Sequence, residues 1–320
     1  MKKTIVLIGI AALIISSTFF VLSSCLAAEL SSLEIKRIEE RIEKIKSRAR
    51  GIQRRGYKEL EEIGPVTAPY LIEVLKDKSV NSESRTLVCD LLGKLKAKEA
   101  VPVLIYTLKK KSHTVRAAAC KALGKIANPA ALDPLLEMLD DEKANVRESA
   151  IYALINFDND IIPLAVVELM EDEAEHVRIA AVTLFDDKLD PRTAEPIREA
   201  LEKDKSVSVR QIAARALGGL RDRGAVDILM EAITEDRGQG VREECATSLG
   251  DIGEARAIPA LIEALKDDYK EIQLKALRSL KELTGKHFGR DYDEWSTWYE
   301  SQHKKDDMIK HEFIDIKTRK

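Results

Sequence analysis

An arginine recurs along this chain at a nearly constant interval, and the residues around it recur with it. A glutamine continues the column, which reads Arg85, Arg116, Arg147, Arg178, Arg210, Arg242 and Gln273. Successive steps are 31, 31, 31, 32, 32 and 31 residues. Seven residues after each marker stands a large apolar residue: Leu92, Leu123, Leu154, Phe185, Leu217, Leu249 and Leu280. Such a period is typical of a solenoid, in which each unit buries its apolar face only by stacking on its neighbours.

We therefore predict an all-α solenoid of about seven helix pairs over residues 66–285. The units, numbered one to seven below, are 66–96, 97–127, 128–158, 159–190, 191–222, 223–253 and 254–285. Most units have a proline near the start of the first helix, where its missing N–H costs nothing: Pro69, Pro102, Pro134, Pro163, Pro196 and Pro259. An acidic residue ends most first helices or their turns: Asp77, Asp140, Asp172, Asp204, Asp236 and Asp267.

These units resemble HEAT repeats, and most closely the short variety also found in phycobilisome lyases. The proline, the acidic turn and the Val-Arg start of an Ala/Leu-rich second helix carry the resemblance over about 220 residues. It implies a right-handed superhelix of antiparallel helix pairs, with the second helices on the concave side. It also implies that the marker arginines are structural and pair with acidic turn residues. Because such arrays chiefly hold partners, the resemblance leaves the particular function open.

The amino terminus reads as an export signal. Lys2 and Lys3 precede an uncharged stretch, and small residues follow it, as in a secretory signal peptide. Leu22-Ser23-Ser24-Cys25 resembles the bacterial lipobox, which implies that residues 1–24 are removed and Cys25 is lipidated. We expect a lipoprotein of the cell envelope that faces the periplasm or the exterior. Two alternatives stay open: a soluble periplasmic or secreted form cleaved after Ala27 or Ala28, and an uncleaved membrane anchor.

The segments that flank the array are expected to cover its ends. Residues 25–65 read as a charged amphipathic helical spacer and N-terminal cap, with a capping box at Ser31 and Glu34 and interruptions at Gly51 and Gly56. Residues 286–320 read as a cap with aromatic anchors followed by a charged tail. The aromatic cluster could alternatively bind a peptide or a sugar. Both tryptophans of the chain, Trp295 and Trp298, lie in it.

The sequence contains no motif for catalysis, for a cofactor or for a metal, so we predict a protein that is not an enzyme. His113 and His176 fall in polar turns, and Cys89, Cys120 and Cys245 occupy core positions without metal-ligand spacing. HEAT-like deoxyhypusine hydroxylases bind iron through several His-Glu pairs, whereas this chain has one, in its tail. A net charge of −3 argues against nucleic acid as a partner.

Positions one and five residues after each marker share a helix face, because residues four apart are neighbours. Over successive units these positions form a line of residues, which we call the track. At its centre we place the candidate partner-binding residues Glu148, Tyr152, Ile179, Thr183, Gln211 and Arg215. An aromatic and an aliphatic anchor within a polar rim is typical of an interaction hot spot. Alternatively, Tyr152 and Ile179 merely pack against each other. The leading hypothesis is a lipid-anchored scaffold that binds a protein or peptide; a lyase-like enzyme or enzyme subunit, or an envelope spacer without a dedicated partner, are the alternatives.

Overall fold

The computed structural model describes residues 31–302, and within them it is built from helices and contains no strand. The predicted all-α solenoid is confirmed. The first helices of the described chain are α1 (Ser32–Lys46), α3 (Ala68–Lys76), α5 (Val101–Thr107), α7 (Leu132–Glu137), α9 (Ile162–Val166), α11 (Ala194–Lys203), α13 (Val226–Glu235) and α15 (Ile258–Glu263). The second helices are α2 (Arg50–Ile63), α4 (Ser82–Lys94), α6 (His113–Ile126), α8 (Ala144–Leu154), α10 (Glu175–Lys188), α12 (Val207–Gly219), α14 (Gln239–Ile252) and α16 (Lys270–Thr284). A last helix, α17, covers 292–302.

A single apolar core runs through the stacked pairs. All seven members of the column that follows the marker residues are fully buried: Leu92, Leu123, Leu154, Phe185, Leu217, Leu249 and Leu280. They join one continuous cluster that reaches from Ile38 near the first helix to Trp295 in the last. Because each second helix packs between the helices of adjacent units, no unit could bury this column by itself.

The marker arginines join each unit to the next. Arg147 donates from Nε and Nη2 to the two carboxylate oxygens of Asp172, at 2.7 and 2.9 Å, and from Nη1 to the carbonyl of Asp141 at 2.8 Å. The same two-pronged pairing recurs with Arg116 on Asp141, Arg178 on Asp204, Arg210 on Asp236 and Arg242 on Asp267. We call these five pairs the arginine–aspartate ladder. Planar guanidinium groups suit this bidentate geometry.

The ladder corrects one detail of the sequence interpretation. In unit three the paired carboxylate belongs to Asp141, whereas Asp140 is exposed at the end of the first helix. The aspartate that pairs with each arginine belongs to the following unit and stands 25 or 26 residues further along the chain. Burial alone would raise the pKa of Asp172, but hydrogen bonds from Arg147 and from the Ala174 amide outweigh it and hold that pKa below its usual range.

The first and last marker residues, Arg85 and Gln273, have partners that differ from those of the ladder. Arg85 has no carboxylate partner and donates instead to the carbonyls of Leu75, Asp77 and Val80 in its own unit. At the other end Gln273 replaces arginine, donates to the carbonyl of Asp267 at 2.7 Å, and accepts from Arg290 at 2.8 Å. In the described chain α17 follows unit seven, and an amide that can both donate and accept fits between Asp267 and Arg290.

Small residues allow the second helices to approach closely. A Cβ added at Gly124 would lie 2.6 Å from the Cα of Ala153 in the next unit, and one at Gly93 would lie 2.8 Å from the Cα of Ala122. Glycines eight residues after the marker in units five and six, Gly218 and Gly250, meet serines of the following unit in the same way. The first helices are in less contact with each other than the second helices are.

The N-terminal segment does not extend away from the array as a spacer over its described part. Helices α1 and α2 form a hairpin, which we call the N-terminal hairpin, and it stacks on unit one. Ser31 caps α1 with the predicted box. The break falls at 47–49, so the expected interruptions at Gly51 and Gly56 were wrong. Gly56 instead lets α2 approach α1, because a Cβ there would lie 2.7 Å from the Cβ of Lys44.

Aromatic residues cover the opposite end. Trp295 is fully buried, its ring lies edge-on to Phe288 at 5.0 Å and to Trp298 at 5.8 Å, and its indole N–H donates to the carbonyl of Gly289 at 2.9 Å. A buried indole N–H with its own acceptor leaves no polar group unsatisfied. Residues 303–320, including most of the predicted charged tail, lie outside the described part of the chain.

Replacing Arg147 with Met should lower the free energy of unfolding by ~3–5 kcal/mol, because the buried carboxylate of Asp172 loses its cation. Arg85→Met is the matched control. It should cost less, since Arg85 bonds only to carbonyls and leaves no charge unpaired. Urea titration followed by circular dichroism measures both losses. Equal losses would show that the carboxylate pairing contributes nothing beyond hydrogen bonds.

A methyl group at Gly124 should force α6 away from α8. We expect Gly124→Ala to lower the free energy of unfolding by ~1–3 kcal/mol through overpacking. Gly51→Ala is the matched control, since nothing lies within 4 Å of a Cβ there and the residue is in a helix. That variant should gain ~0.5–1 kcal/mol from helix propensity. Thermal unfolding of the two variants should shift in opposite directions, and a shared direction would contradict the close approach.

Candidate functional site

The second helices line the concave side of the array. They approach each other through glycine and small residues, whereas the first helices lie further apart. A stack whose units are closer on one side curves toward that side. The surface formed by the second helices is therefore the inside of the curve, which we call the groove.

The structure brings the six sequence-predicted binding residues to the groove on three successive helices, α8, α10 and α12. Tyr152 and Arg215 are exposed, and the other four, Glu148, Ile179, Thr183 and Gln211, are partly buried. A position on the track is thus accessible from the groove in each of the three units. Their role in binding stays a prediction.

Tyr152 is the accessible aromatic residue of this patch, with 39% of its surface exposed. Burial of the remainder, followed by repulsion from Glu148, raises the pKa of its phenol, while a hydrogen bond with Thr183 acts in the opposite direction. Thr183 belongs to the next unit, and its hydroxyl also donates to the carbonyl of Ile179 at 2.7 Å. The phenol therefore spans the junction between units three and four with its ring open to the groove.

Ile179 differs from Tyr152 in its surroundings. It is partly buried and packs against the continuous core, whereas Tyr152 is among the exposed large apolar residues. The two anchors are therefore unequal. Tyr152 offers an accessible aromatic ring, and Ile179 forms a partly buried apolar surface beside it.

Arg215 links three units along the groove. Its guanidinium lies 2.8 Å from a carboxylate oxygen of Asp186 in unit four and 3.8 Å from one of Glu244 in unit six. Burial raises the pKa of Glu244, and Arg215 and Gln211 oppose that shift. Two candidate residues, Gln211 and Arg215, are thus held in place by the protein itself before any partner arrives.

Unit four departs from the regular pattern at the groove. In units one, two, five and six a glycine stands eight residues after the marker, but Ile155 and Asp186 occupy this position in units three and four. The second helices α8 and α10 consequently make less contact than their regular counterparts. Exposed apolar residues also gather in unit four: Ile161, Leu164 and Leu189. The candidate patch lies at this widened junction.

Charge is distributed very unevenly along the array. Residues 31–127 contain 22 basic and 12 acidic side chains, and residues 128–190 contain 4 basic and 16 acidic ones. The small net charge of the whole chain conceals both regions. Charge counted unit by unit was the signal that could have shown this asymmetry from the sequence.

The N-terminal end of the groove carries a polar cluster that the sequence interpretation missed. Tyr57 of the N-terminal hairpin donates to Asp90 at 2.5 Å, and Lys125 of unit two donates to the other oxygen at 2.6 Å. Burial, followed by the bond to Asp90, raises the pKa of Tyr57 to about 12. Lys94 lies over the same ring at 4.9 Å. Tyr57 lies outside the repeat column, so its place in the groove was not evident from the period.

Other features of the described chain lie outside the groove or in the core. A shallow depression of about 760 Å³ lies between the first helices of units four and five, on the outer side, with Met170, Pro196 and Lys203 among its lining. Cys89, Cys120 and Cys245 are buried free thiols whose pKa values burial raises. No group of three or more His, Cys, Asp or Glu residues in 31–302 is placed to hold a metal ion.

None of the helices between residues 31 and 302 combines the length and the apolar character needed to cross a membrane.

Comparison with known families identifies the array. The sequence profile of HEAT repeats matches residues 68–155 and 194–281, which is more than half of the chain. The chain therefore belongs to the HEAT-repeat family. The two matches leave out 156–193, the stretch that contains unit four, where the glycine pattern is also lost. No similar protein was found among curated sequences.

Solved structures support the fold alone. The X-ray structure of YibA from Escherichia coli is similar at 23% identity and a TM-score of 0.60, covering 76% of this chain and 92% of that one. An engineered protein is similar at 17% identity and a TM-score of 0.54, covering 77% of this chain and 78% of its own. Human deoxyhypusine hydroxylase in complex with glycerol is 19% identical over 78% of this chain and 97% of its own, with a TM-score of 0.36.

Proposed function

We propose that this protein is an exported, lipid-anchored HEAT-repeat scaffold that binds a protein or peptide segment in its groove and catalyses no reaction itself. The observation that carries the proposal is the exposed Tyr152 at the widened junction between units three and four. In units one, two, five and six a glycine lets the second helix pack closely on the next one, whereas here the groove presents an aromatic ring beside a partly buried isoleucine. An aromatic anchor in a polar setting is what interaction hot spots use.

The charge of the same region defines the class of segment that would fit. Units three and four contain four times as many acidic as basic side chains. On the groove itself Glu148 lies beside Tyr152, and Asp186 stands in the neighbouring unit. We infer a segment that places an apolar side chain against Tyr152 and basic residues on either side of it, because complementary charge steers and registers such encounters.

The anchoring part of the proposal rests on the sequence. The lipobox-like Leu22-Ser23-Ser24-Cys25 stands a few residues before the first described helix, and it lies outside the described residues. Lipidation at Cys25 would tether the N-terminal hairpin close to a membrane of the bacterial cell envelope. Two or three acyl chains hold a protein there stably, because each buried CH₂ contributes ~0.8 kcal/mol.

If Cys25 carries the lipid, Cys25→Ala should abolish acylation and leave the precursor uncleaved. Metabolic labelling with an alkyne fatty acid measures this directly in cells that express the full chain. Cys245→Ala serves as the matched control and should keep its label, since that thiol is buried in the core. A wild-type chain that takes up no label would exclude the lipoprotein and leave the two alternatives, cleavage after Ala27 or Ala28 and an uncleaved membrane anchor.

Removing both anchors of the patch should abolish binding without unfolding the array. We expect Tyr152→Ala with Ile179→Ser to retain the helical circular-dichroism signal and to lose capture of basic, apolar peptides from a peptide library. The expected loss is at least tenfold, since truncation of a hot-spot residue costs ~2 kcal/mol or more.

A matched control tests whether the effect is local. Tyr269→Ala removes another half-exposed tyrosine, in the turn before α16 and away from the patch. It should leave peptide capture unchanged. If the double variant and the wild type capture the same peptides with the same affinity, the groove at units three and four is not the binding site.

A further inference from the structure

The turns between first and second helices lie along one edge of the stack, because every helix pair has the same orientation. In the N-terminal hairpin and units one and two this edge is mainly basic, with Asp77 and Glu83 as exposed acidic residues on it. Its exposed basic members, which we call the basic edge, are Arg48, Arg50, Lys78, Lys109 and Lys111. In the units that follow, the same edge carries the aspartates of the ladder and further acidic residues.

The arginine–aspartate ladder has no pair between units one and two, where the basic edge lies. Asp141 and its equivalents stand six residues before the marker in units three to seven, but Lys110 stands there in unit two. Arg85 consequently has no carboxylate to pair with and bonds only to carbonyls. A stabilising contact between units is therefore absent at this junction, and the partly buried Lys110 occupies the position of the aspartate.

An exposed aromatic residue accompanies the lysines. Tyr106 has 57% of its surface exposed, and the ammonium group of Lys110 lies 3.9 Å from the centre of its ring. The pKa of Tyr106 is lowered by Lys110 and, more weakly, by Lys78 across the unit boundary, which places both cations near the phenol. Tyrosine beside lysine is the combination that membrane–water interfaces favour.

Most of the basic edge is free to meet an outside anion. Arg50 lies 3.7 Å from Glu83, and the other four members of the edge form no ion pair with the described part of the chain. Exposed basic residues that are not neutralised by the protein itself retain their full attraction for a surface of opposite charge.

The edge also lies within reach of the proposed lipid site. Six residues, 26–31, separate Cys25 from α1, and they span at most ~20–22 Å when extended. The basic edge lies at the far end of α1, whose 15 residues measure ~22 Å. A chain tethered to a membrane at its start can therefore lay this edge on the same membrane.

We propose that the basic edge docks on the anionic phospholipid headgroups of the membrane that holds the N-terminal anchor. Lipid tether and polybasic edge then act as two signals, which together hold a protein more firmly than either one. The proposal rests on the envelope location proposed above, but the two can fail separately because docking is measurable without the lipid.

Residues 26–320 contain every residue that the structure describes and no lipid site, so they are the protein to test. They should co-sediment with vesicles of phosphatidylcholine and phosphatidylglycerol, but not with phosphatidylcholine alone, and added salt should release them. Lys78→Gln, Lys109→Gln and Lys111→Gln together should weaken this partitioning on the order of 100-fold, at roughly fivefold for each cation near the surface.

A second triple variant controls for charge. Lys203→Gln, Lys205→Gln and Arg237→Gln remove the same charge from exposed positions at the same edge of units five and six. Partitioning should remain that of the parent chain. Equal losses from both triple variants would overturn the proposal, as would equal binding to the neutral vesicles.

The same purified protein distinguishes a membrane from two other partners that a basic edge could bind, a second copy of this chain and DNA. Salt-sensitive self-association that the first triple variant abolishes, without vesicle binding, would make the edge a contact between copies and overturn the proposal. Binding to duplex DNA without vesicle binding would overturn it too. Labelling of Cys25 is measured separately in cells. If the full chain is labelled but residues 26–320 do not bind anionic vesicles, the docking proposal is refuted and the lipid anchor is not.

Discussion

The structure depends on contacts that each unit makes with the next, and the arginine–aspartate ladder shows this most directly. A marker arginine closes the turn of its own unit through carbonyls and binds the carboxylate of the following unit with the same guanidinium. The second contact needs a neighbour, whereas Arg85 makes only the first. The C-terminal end of the described array uses other chemistry: Gln273 pairs with Arg290, and α17 packs against the core through the buried Trp295.

The period alone was enough to predict the helix pairs, because a column of buried leucines at a fixed step permits few other folds. It could not show which aspartate each arginine binds. Asp140 and Asp141 are adjacent in the sequence, and Asp141, in the same unit as Arg147, lies nearer to that arginine along the chain than its partner Asp172 does. Only the stacking of turns along one edge places the carboxylate of the next unit within 3 Å.

The groove was predictable in outline and not in detail. Helix geometry placed Tyr152 and Ile179 on the track, but it treated them as equal anchors, whereas packing leaves the tyrosine exposed and partly buries the isoleucine. The widened junction depends on Ile155 and Asp186, which interrupt a column of glycines. The role of these glycines became clear only from the structure, which shows that the second helices are in contact at those positions. The family profile is likewise silent over this unit.

The basic edge and the groove occupy different sides of the solenoid, and that arrangement has a mechanical consequence. The basic edge is formed by turns, while the groove is formed by the second helices between them. Contact through the edge therefore leaves the groove uncovered. Because the N-terminal hairpin and units one and two are basic and units three and four are acidic, an anionic surface attracts the former and repels the latter. Such a surface would hold the array by one end and keep the acidic junction around Tyr152 turned away from it, accessible to a basic partner.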